Sequence, residues 1–596
     1  MNLNHLYQKI KGMTAIALLA PASALLFSGC SDFLEVEPRD LIVLENFWNE
    51  KADVDNIVSG CYSAFQSEDC IRRMIIWGEA RSENMAPGTN TNDDVNLLNL
   101  LNENITAKNA YTDWLRFYDV INRCSTVIKY APQVASIDPG YTQSELNATI
   151  AEMTALRSLS YFYLIRTFRD VPFSREAFTD DDQQMMLPAM PFEQVLDSLI
   201  FDLESVKDMA VERYPSVTPL YQTGRITKDA IHAMLCEMYL WKQDYDNCIR
   251  YADLVIASKK KIADEIEKAS RNSSSQSSDN DLRTNGLPLI TDQYSTTTFG
   301  NTYRYMYSTD IESATSLTNQ EVIFQLVFDD YSNSMPKNSA IGTFYGNASA
   351  TQGWLKPSDF IVDDIAKTSG RTVFEDKNKK VDSRLYEFIN SSSANASINK
   401  FTRRNTYVNG SSSTPSVDYG NLWTSGDNRS NWIIYRLADI VLLKAEAITQ
   451  KLREGVDQET LNYNEPYIAQ AFSLVNAVNK RSICQTTLTD TLVATDYVTK
   501  SQIEDLVLRE RQRELMFEGK RWYDLVRVSR RQGTTTILSQ AALRKVTTGS
   551  ALIANKLSKM DAMYWPYNYE EMKVNTYLVQ NPAFSSGETS SYESSK

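Results

Sequence analysis

Histidine is almost missing from this 596-residue chain, which holds only His5 and His232. His5 falls in a segment expected to be removed, so a histidine metal cluster or a Ser-His-Asp triad would rest on His232 alone, which argues against both. The seven cysteines, at 30, 61, 70, 124, 236, 248 and 484, form no C-x-x-C pair of the kind that binds metal. Cys124, Cys236 and Cys248 sit in helical patterns and read as small buried hydrophobes. No basic block occurs, and Lys plus Arg 61 against Asp plus Glu 75 gives a net charge of −14, which argues against nucleic acid as a partner. Nor does the apolar run Met13 to Phe27, interrupted by Thr14, Pro21 and Ser23, reach the ~20 residues that a bilayer core requires.

That short run follows Lys9 and Lys11 and precedes small residues, the pattern of a secretory signal peptide over residues 1–29. Ser28, Gly29 and Cys30 then resemble the lipobox of bacterial lipoproteins, with Phe27 departing from the usual aliphatic residue. The resemblance implies that Cys30 is acylated and that the mature chain begins there. Each buried acyl CH2 adds roughly 0.8 kcal/mol, so two or three chains anchor stably.

Hydrophobic residues at 42% and charged residues at 23% are those of a globular protein with a large core. Helical spacing recurs at Trp114, Tyr118, Ile121 and Ser125, again from Thr154 to Phe168, and again after Pro191, a good first-turn residue. Nothing in this stretch calls for a strand. "GRITKDAIHAMLCEMYLWKQDYDNCIRYADLVIAS" predicts two helices broken at Lys242 to Asp244, a hairpin that resembles a tetratricopeptide repeat. From about Ala257 to Arg429 the chain turns to Ser, Asn, Thr, Gly and Tyr, and only "EVIFQLVFDD" reads as a strand. Helical spacing returns from Ile433.

Six stretches in order resemble the SusD-like (RagB/SusD) outer-membrane lipoproteins of Bacteroidetes. They are "CSDFLEVEP", "ALRSLSYFYLIRTFRDVPF", "GRITKDAIHAMLCEMYL", "YRLADIVLLKAEA", "LRERQRELMFEGKRWYDLVR" and "YWPYNYEEMKVNTYLVQNPAF". Ser158 stands where the family usually has Ala, Arg169 where it often has Gly, and Tyr567 where an aliphatic is common. The resemblance implies a mainly α fold, a tetratricopeptide-repeat-like helical solenoid carrying a loop-rich, partly β ligand-binding insertion. Its expected parts are a helical region over 30–260, the insertion over 261–430, and a second helical region with a tail over 431–596.

In "LRERQRELMFEGKRWYDLVR", Glu510 and Glu514 lie four residues apart and could form an acid and base pair. The favoured alternative is an ion-paired helix corner, with Gly519 allowing the turn, and Arg436, Asp439 and Glu446 as further packing ion pairs. "QNPAF" is expected to pin the C-terminal tail. Asp329 with Asp330, or Asp93 with Asp94, supply oxygen ligands for calcium, though without the spacing of an EF-hand, so no cofactor is assigned.

Glycan binding needs aromatic faces for sugar rings and polar groups that bridge vicinal hydroxyls. "NTYRYMYSTD", "FDDYSNS", "GTFYGNASATQGWLKPSD" and "APGTNTNDDVN" supply both, and the ligand candidates are Asn92, Asp93, Tyr305, Tyr331, Tyr345 and Trp354. The family resemblance implies a lipid-anchored, cell-surface protein of the outer membrane. It would capture oligosaccharides as the lid of a SusC-like TonB-dependent transporter and would break no bond. Rival readings are a lid for peptides or another nutrient, and a surface glycoside hydrolase.

Overall fold

A computed structural model describes residues 47–180, 182–215, 218, 220–271, 285–290, 303–307, 321–328, 336–362, 373–374, 382–390, 396–404, 406–411, 414–482, 492–545 and 549–585. Cys30 and its leader therefore lie outside the described residues. Met1–Asn49 form one unit and Glu50–Lys596 another.

Three helices of the larger unit are apolar or small on nearly every face, the pattern of a helix packed on all sides. In Gln143–Phe168 the capping box of Thr142 and Glu145 starts the helix, and every residue from Ala151 to Phe168 is buried. Lys228–Trp241, capped by the Thr227 side chain, is buried from Asp229 to Trp241, and Leu437–Thr449 is buried throughout. Amphipathic helices surround them: Leu115–Ile137 and Phe192–Val206 pack on Gln143–Phe168, and Tyr245–Arg271 packs on both Lys228–Trp241 and Leu437–Thr449. Gln458–Arg481 and Lys500–Leu515 close the other side of Leu437–Thr449. The expected hairpin is thus present, with Lys242 at the cap of its first helix and Tyr245 opening the second. The mainly α, repeat-like class stands.

Two local readings change. Helical spacing from Ile433 does not begin a helix there: Trp432–Arg436 is a strand paired antiparallel with Val322–Leu326, Trp432 facing Leu326 and Arg436 facing Val322. Five consecutive buried residues satisfy a strand covered on both faces as well as a helix, and the partner "EVIFQLVFDD" decides between them. Small strand pairs also occur where none was expected, Val171–Pro172 with Ala189–Met190 and Met85–Pro87 with Leu355–Pro357. The tail is held as predicted, since Gln580 exchanges hydrogen bonds with the backbone of Tyr567 and the Asn581 amide donates to the carbonyls of Asp561 and Trp565.

Candidate functional site

The strand pair Met85–Pro87 and Leu355–Pro357 carries two loops into contact. A Cβ on Gly88 would lie 2.1 Å from the Gly353 carbonyl oxygen, and one on Gly353 would lie 2.5 Å from that of Phe344, so only glycines permit this approach. The Gly88 amide donates to the Trp354 carbonyl at 2.9 Å, and the Thr91 hydroxyl donates to the same oxygen. Thr89 donates to Gln352 at 2.6 Å, and the Trp354 amide donates to the Thr343 carbonyl at 3.0 Å.

These bonds set the backbone of Trp354, a half-buried residue, against the 3-10 turn Thr91–Asp93, in which Thr91 is buried and Asn92 and Asp93 are exposed. The ring packs edge-on against Phe344 at 5.8 Å, and the Arg72 guanidinium lies 5.7 Å from Phe344 and 5.8 Å from Trp354. Asp94 next to the turn caps the helix Val95–Leu101 through the Leu97 amide and accepts from the Tyr111 hydroxyl. Burial first, and then that bond to Asp94, keeps the Tyr111 phenol protonated far above its usual range. A half-buried tryptophan and a turn that exposes an amide and a carboxylate are therefore joined on adjoining loops, a set of groups that suits a ring with an apolar side and a hydroxylated edge.

Three of the six ligand candidates, Asn92, Asp93 and Trp354, come together here. Tyr345 is corrected: it is fully buried, and its hydroxyl donates to the Phe517 carbonyl at 2.9 Å, so its ring has no surface to offer. Its place just after the helix Ser339–Phe344 turns it inward, while Trp354 stays half-buried. Tyr331 and the pair Asp329 and Asp330 lie outside the described residues, and Tyr305 is described only as backbone within Arg304–Tyr307. Among the described residues no group of three or more His, Cys, Asp or Glu could hold a metal ion. Sequence reasoning missed Arg72, Phe344 and Gln352, because their roles depend on the Gly88 and Gly353 approach, which no local pattern announces.

Glu510 and Glu514 are not in a cleft. Glu514 accepts from Arg436 and Arg481 at 2.6 Å each, from Arg384 at 2.9 Å and from the Tyr303 hydroxyl at 2.6 Å. Glu510 accepts from Arg384 at 2.7 Å and from Arg513 at 3.3 Å. Glu321, Asp382, Glu518 and Lys400 complete the cluster, whose acids and cations match one for one. Burial alone would raise the Glu514 carboxyl, but Arg481, Arg436 and Arg384 hold it well below the usual carboxylate range. A carboxylate so paired and sealed is poorly suited to carry a proton to a substrate. Asp439, between Arg511 and Lys520, and Glu446, between Arg527 and Arg531, are packing ion pairs of the same kind.

The sequence pattern of the SusD family matches residues 266–584, more than half of the chain, and the chain belongs to that family. It is 25% identical over 552 residues to SusD-like protein P38 of Formosa agariphila, covering 88% of this chain and 92% of that protein. SusD-like protein P2 of the same organism is 21% identical over 514 residues, covering 84% and 88%. Among solved structures, a SusD superfamily protein from Bacteroides vulgatus superposes with a TM-score of 0.61 at 17% identity, covering 90% of this chain and all of that one. A laminarin-binding SusD-like protein superposes with a TM-score of 0.55 at 18% identity, also over 90% of this chain and all of that one. No helix among the described residues is long and apolar enough to cross a membrane.

Proposed function

We propose that this protein captures oligosaccharides at the cell surface, held to the outer membrane through lipidated Cys30, and acts as the lid of a SusC-like TonB-dependent transporter. Its ligand contacts are Trp354 as stacking platform, with Asn92 and Asp93 as hydrogen-bonding rim. The loop-rich 261–430 segment supplies the platform and the 30–260 region supplies the rim, while 431–596 serves as scaffold. The observation that carries this reading is the backbone contact that joins half-buried Trp354 to the turn bearing exposed Asn92 and Asp93. Membership of the SusD family and a laminarin-binding structural relative support glycan as the cargo class.

The test is a glycan array probed with the soluble chain lacking residues 1–30, followed by calorimetry on Trp354→Ala. Binding of at least one glycan, reduced tenfold or more in the variant, is expected. Unchanged affinity would remove Trp354 from the site, and a silent array would reject glycan capture. New reducing ends appearing on incubation with polysaccharide would favour the hydrolase instead. Cys30→Ala should release the protein from the membrane, and co-purification with a TonB-dependent transporter should identify the partner.

A further inference from the structure

A cleft of about 500 Å³ lies at the turn of the helical hairpin, between residues 242–246 on one side and Gln450, Lys451 and Tyr463 on the other. Its volume is in the range of small-molecule sites, ~300–1,000 Å³. None of its residues belongs to the Trp354 site.

The two walls present tyrosines, Tyr245 from the start of the Tyr245–Arg271 helix and Tyr463 from Gln458–Arg481. Tyr463 is held from behind: the Arg453 guanidinium lies 3.8 Å from its ring centroid, and Asn464 exchanges hydrogen bonds of 2.9 Å each with the Arg453 backbone. Tyr467 packs beside it at 5.5 Å. Among the lining residues Lys242 and Lys451 balance Asp244 and Asp246, and Lys451 is paired with Asp246 across the cleft. Gln243, at the hairpin apex with φ 63°, adds an amide that both donates and accepts, while the Gln450 amide nitrogen donates to Glu504 at 2.5 Å and leaves its oxygen to accept. A cleft with aromatic walls, no net charge and mixed hydrogen-bonding groups fits an uncharged, polyhydroxylated ring better than an ionic ligand.

We propose that this cleft is a second glycan site, for neutral sugar rings, which holds a distal part of a polysaccharide while another part occupies the Trp354 site. The inference rests on glycan capture at Trp354. Binding at two points makes the second event intramolecular, so a chain long enough to reach both gains affinity over a short one.

The probes are neutral glucans, xylans, mannans and galactans, each as polymer and as hexasaccharide, titrated into the soluble chain lacking residues 1–30. The polymer of the recognised glycan should bind about tenfold or more tighter than its hexasaccharide. Tyr463→Ala should abolish that advantage and leave hexasaccharide affinity unchanged, which also shows that the variant folds, while Tyr463→Phe should keep it. An advantage that persists in Tyr463→Ala, or none in the unsubstituted chain, overturns the second site and leaves the first intact. A panel that binds in neither form rejects both.

Discussion

A Cβ placed on Gly78 would lie 1.8 Å from the carbonyl oxygen of Gly519, so two segments far apart in sequence meet backbone to backbone. Gly519 has φ 70°, and a Cβ there would also come within 2.6 Å of the Met74 carbonyl oxygen. Glu79 exploits this approach. Its carboxylate accepts from the amides of Phe517 and Lys520 at 3.0 Å each and of Arg521 at 3.3 Å, capping the helix Arg521–Gln532. Burial raises the Glu79 carboxyl even so, against the bonds from Asn84 and these amides.

Gly78→Ala should therefore lower stability by about 3 kcal/mol or more, since a collision with backbone cannot relax through a rotamer change. Gly519→Ala should do the same through its left-handed backbone as well as the contact. Urea midpoints measure both, and a loss below 1 kcal/mol in Gly78→Ala would contradict the close approach.

Glu514→Ala leaves Arg384, Arg436 and Arg481 buried around a missing charge, and removing one partner of a buried ion cluster costs about 3–5 kcal/mol. Stability should fall by that order, and Glu510→Ala should also destabilise. Glycan affinity per folded molecule should stay unchanged in both. A selective loss of binding with native stability would return these carboxylates to a functional role.

The helical scaffold was legible in the sequence where burial imposes a period, as in "ALRSLSYFYLIRTF" and "AIHAMLCEMYL". Charge density in "LRERQRELMFEGKRWYDLVR" pointed to an ion-paired corner, because so many charges of both signs among apolar residues must find one another. Ile433 misled because a fully buried strand has no alternation to betray it. The candidate site was legible only in part: composition singled out Trp354, Asn92 and Asp93 but also Tyr345, since exposure is decided by the tertiary path of the loop and not by residue type. Arg72 stayed hidden because an arginine in a helix has many uses.

Arg169 occupies a backbone conformation that glycine would hold more easily. At φ 70° and ψ −78° it is the centre of a γ-turn of the rare, strained hand, closed by the Asp170 amide donating to the Phe168 carbonyl at 3.1 Å. Its side chain offsets part of the strain through ion pairs with Asp170 and Asp561. Those pairs are about a third exposed and contribute roughly 0–1 kcal/mol each. Arg169→Ala loses the pairs and keeps the strain, whereas Arg169→Gly loses the pairs and relieves it. In thermal unfolding the glycine variant should exceed the alanine variant by about 1 kcal/mol, and the reverse order would show that the turn is unstrained.

His232 links stability to pH. Burial, helped by Lys228 and opposed by Asp208, lowers its pKa from 6.5 to about 4, and the ring packs 5.4 Å from Tyr251. The unfolded chain thus binds a proton at this residue near pH 6.5 while the folded chain resists it until about pH 4. Its contribution is fully present above pH 6.5 and is lost as pH falls through that window, because protons favour the state that binds more of them. At ~1.4 kcal/mol per pKa unit the loss is at most about 3 kcal/mol, and less because the ring is partly solvated. Carboxylates add their own acid sensitivity, so the informative quantity is the difference between the unsubstituted chain and His232→Gln. Between pH 6.5 and 4 the gap in unfolding free energy should shift toward the variant, with most of the change done by pH 4. A gap that stays constant across this range would mean that His232 titrates normally in the folded protein.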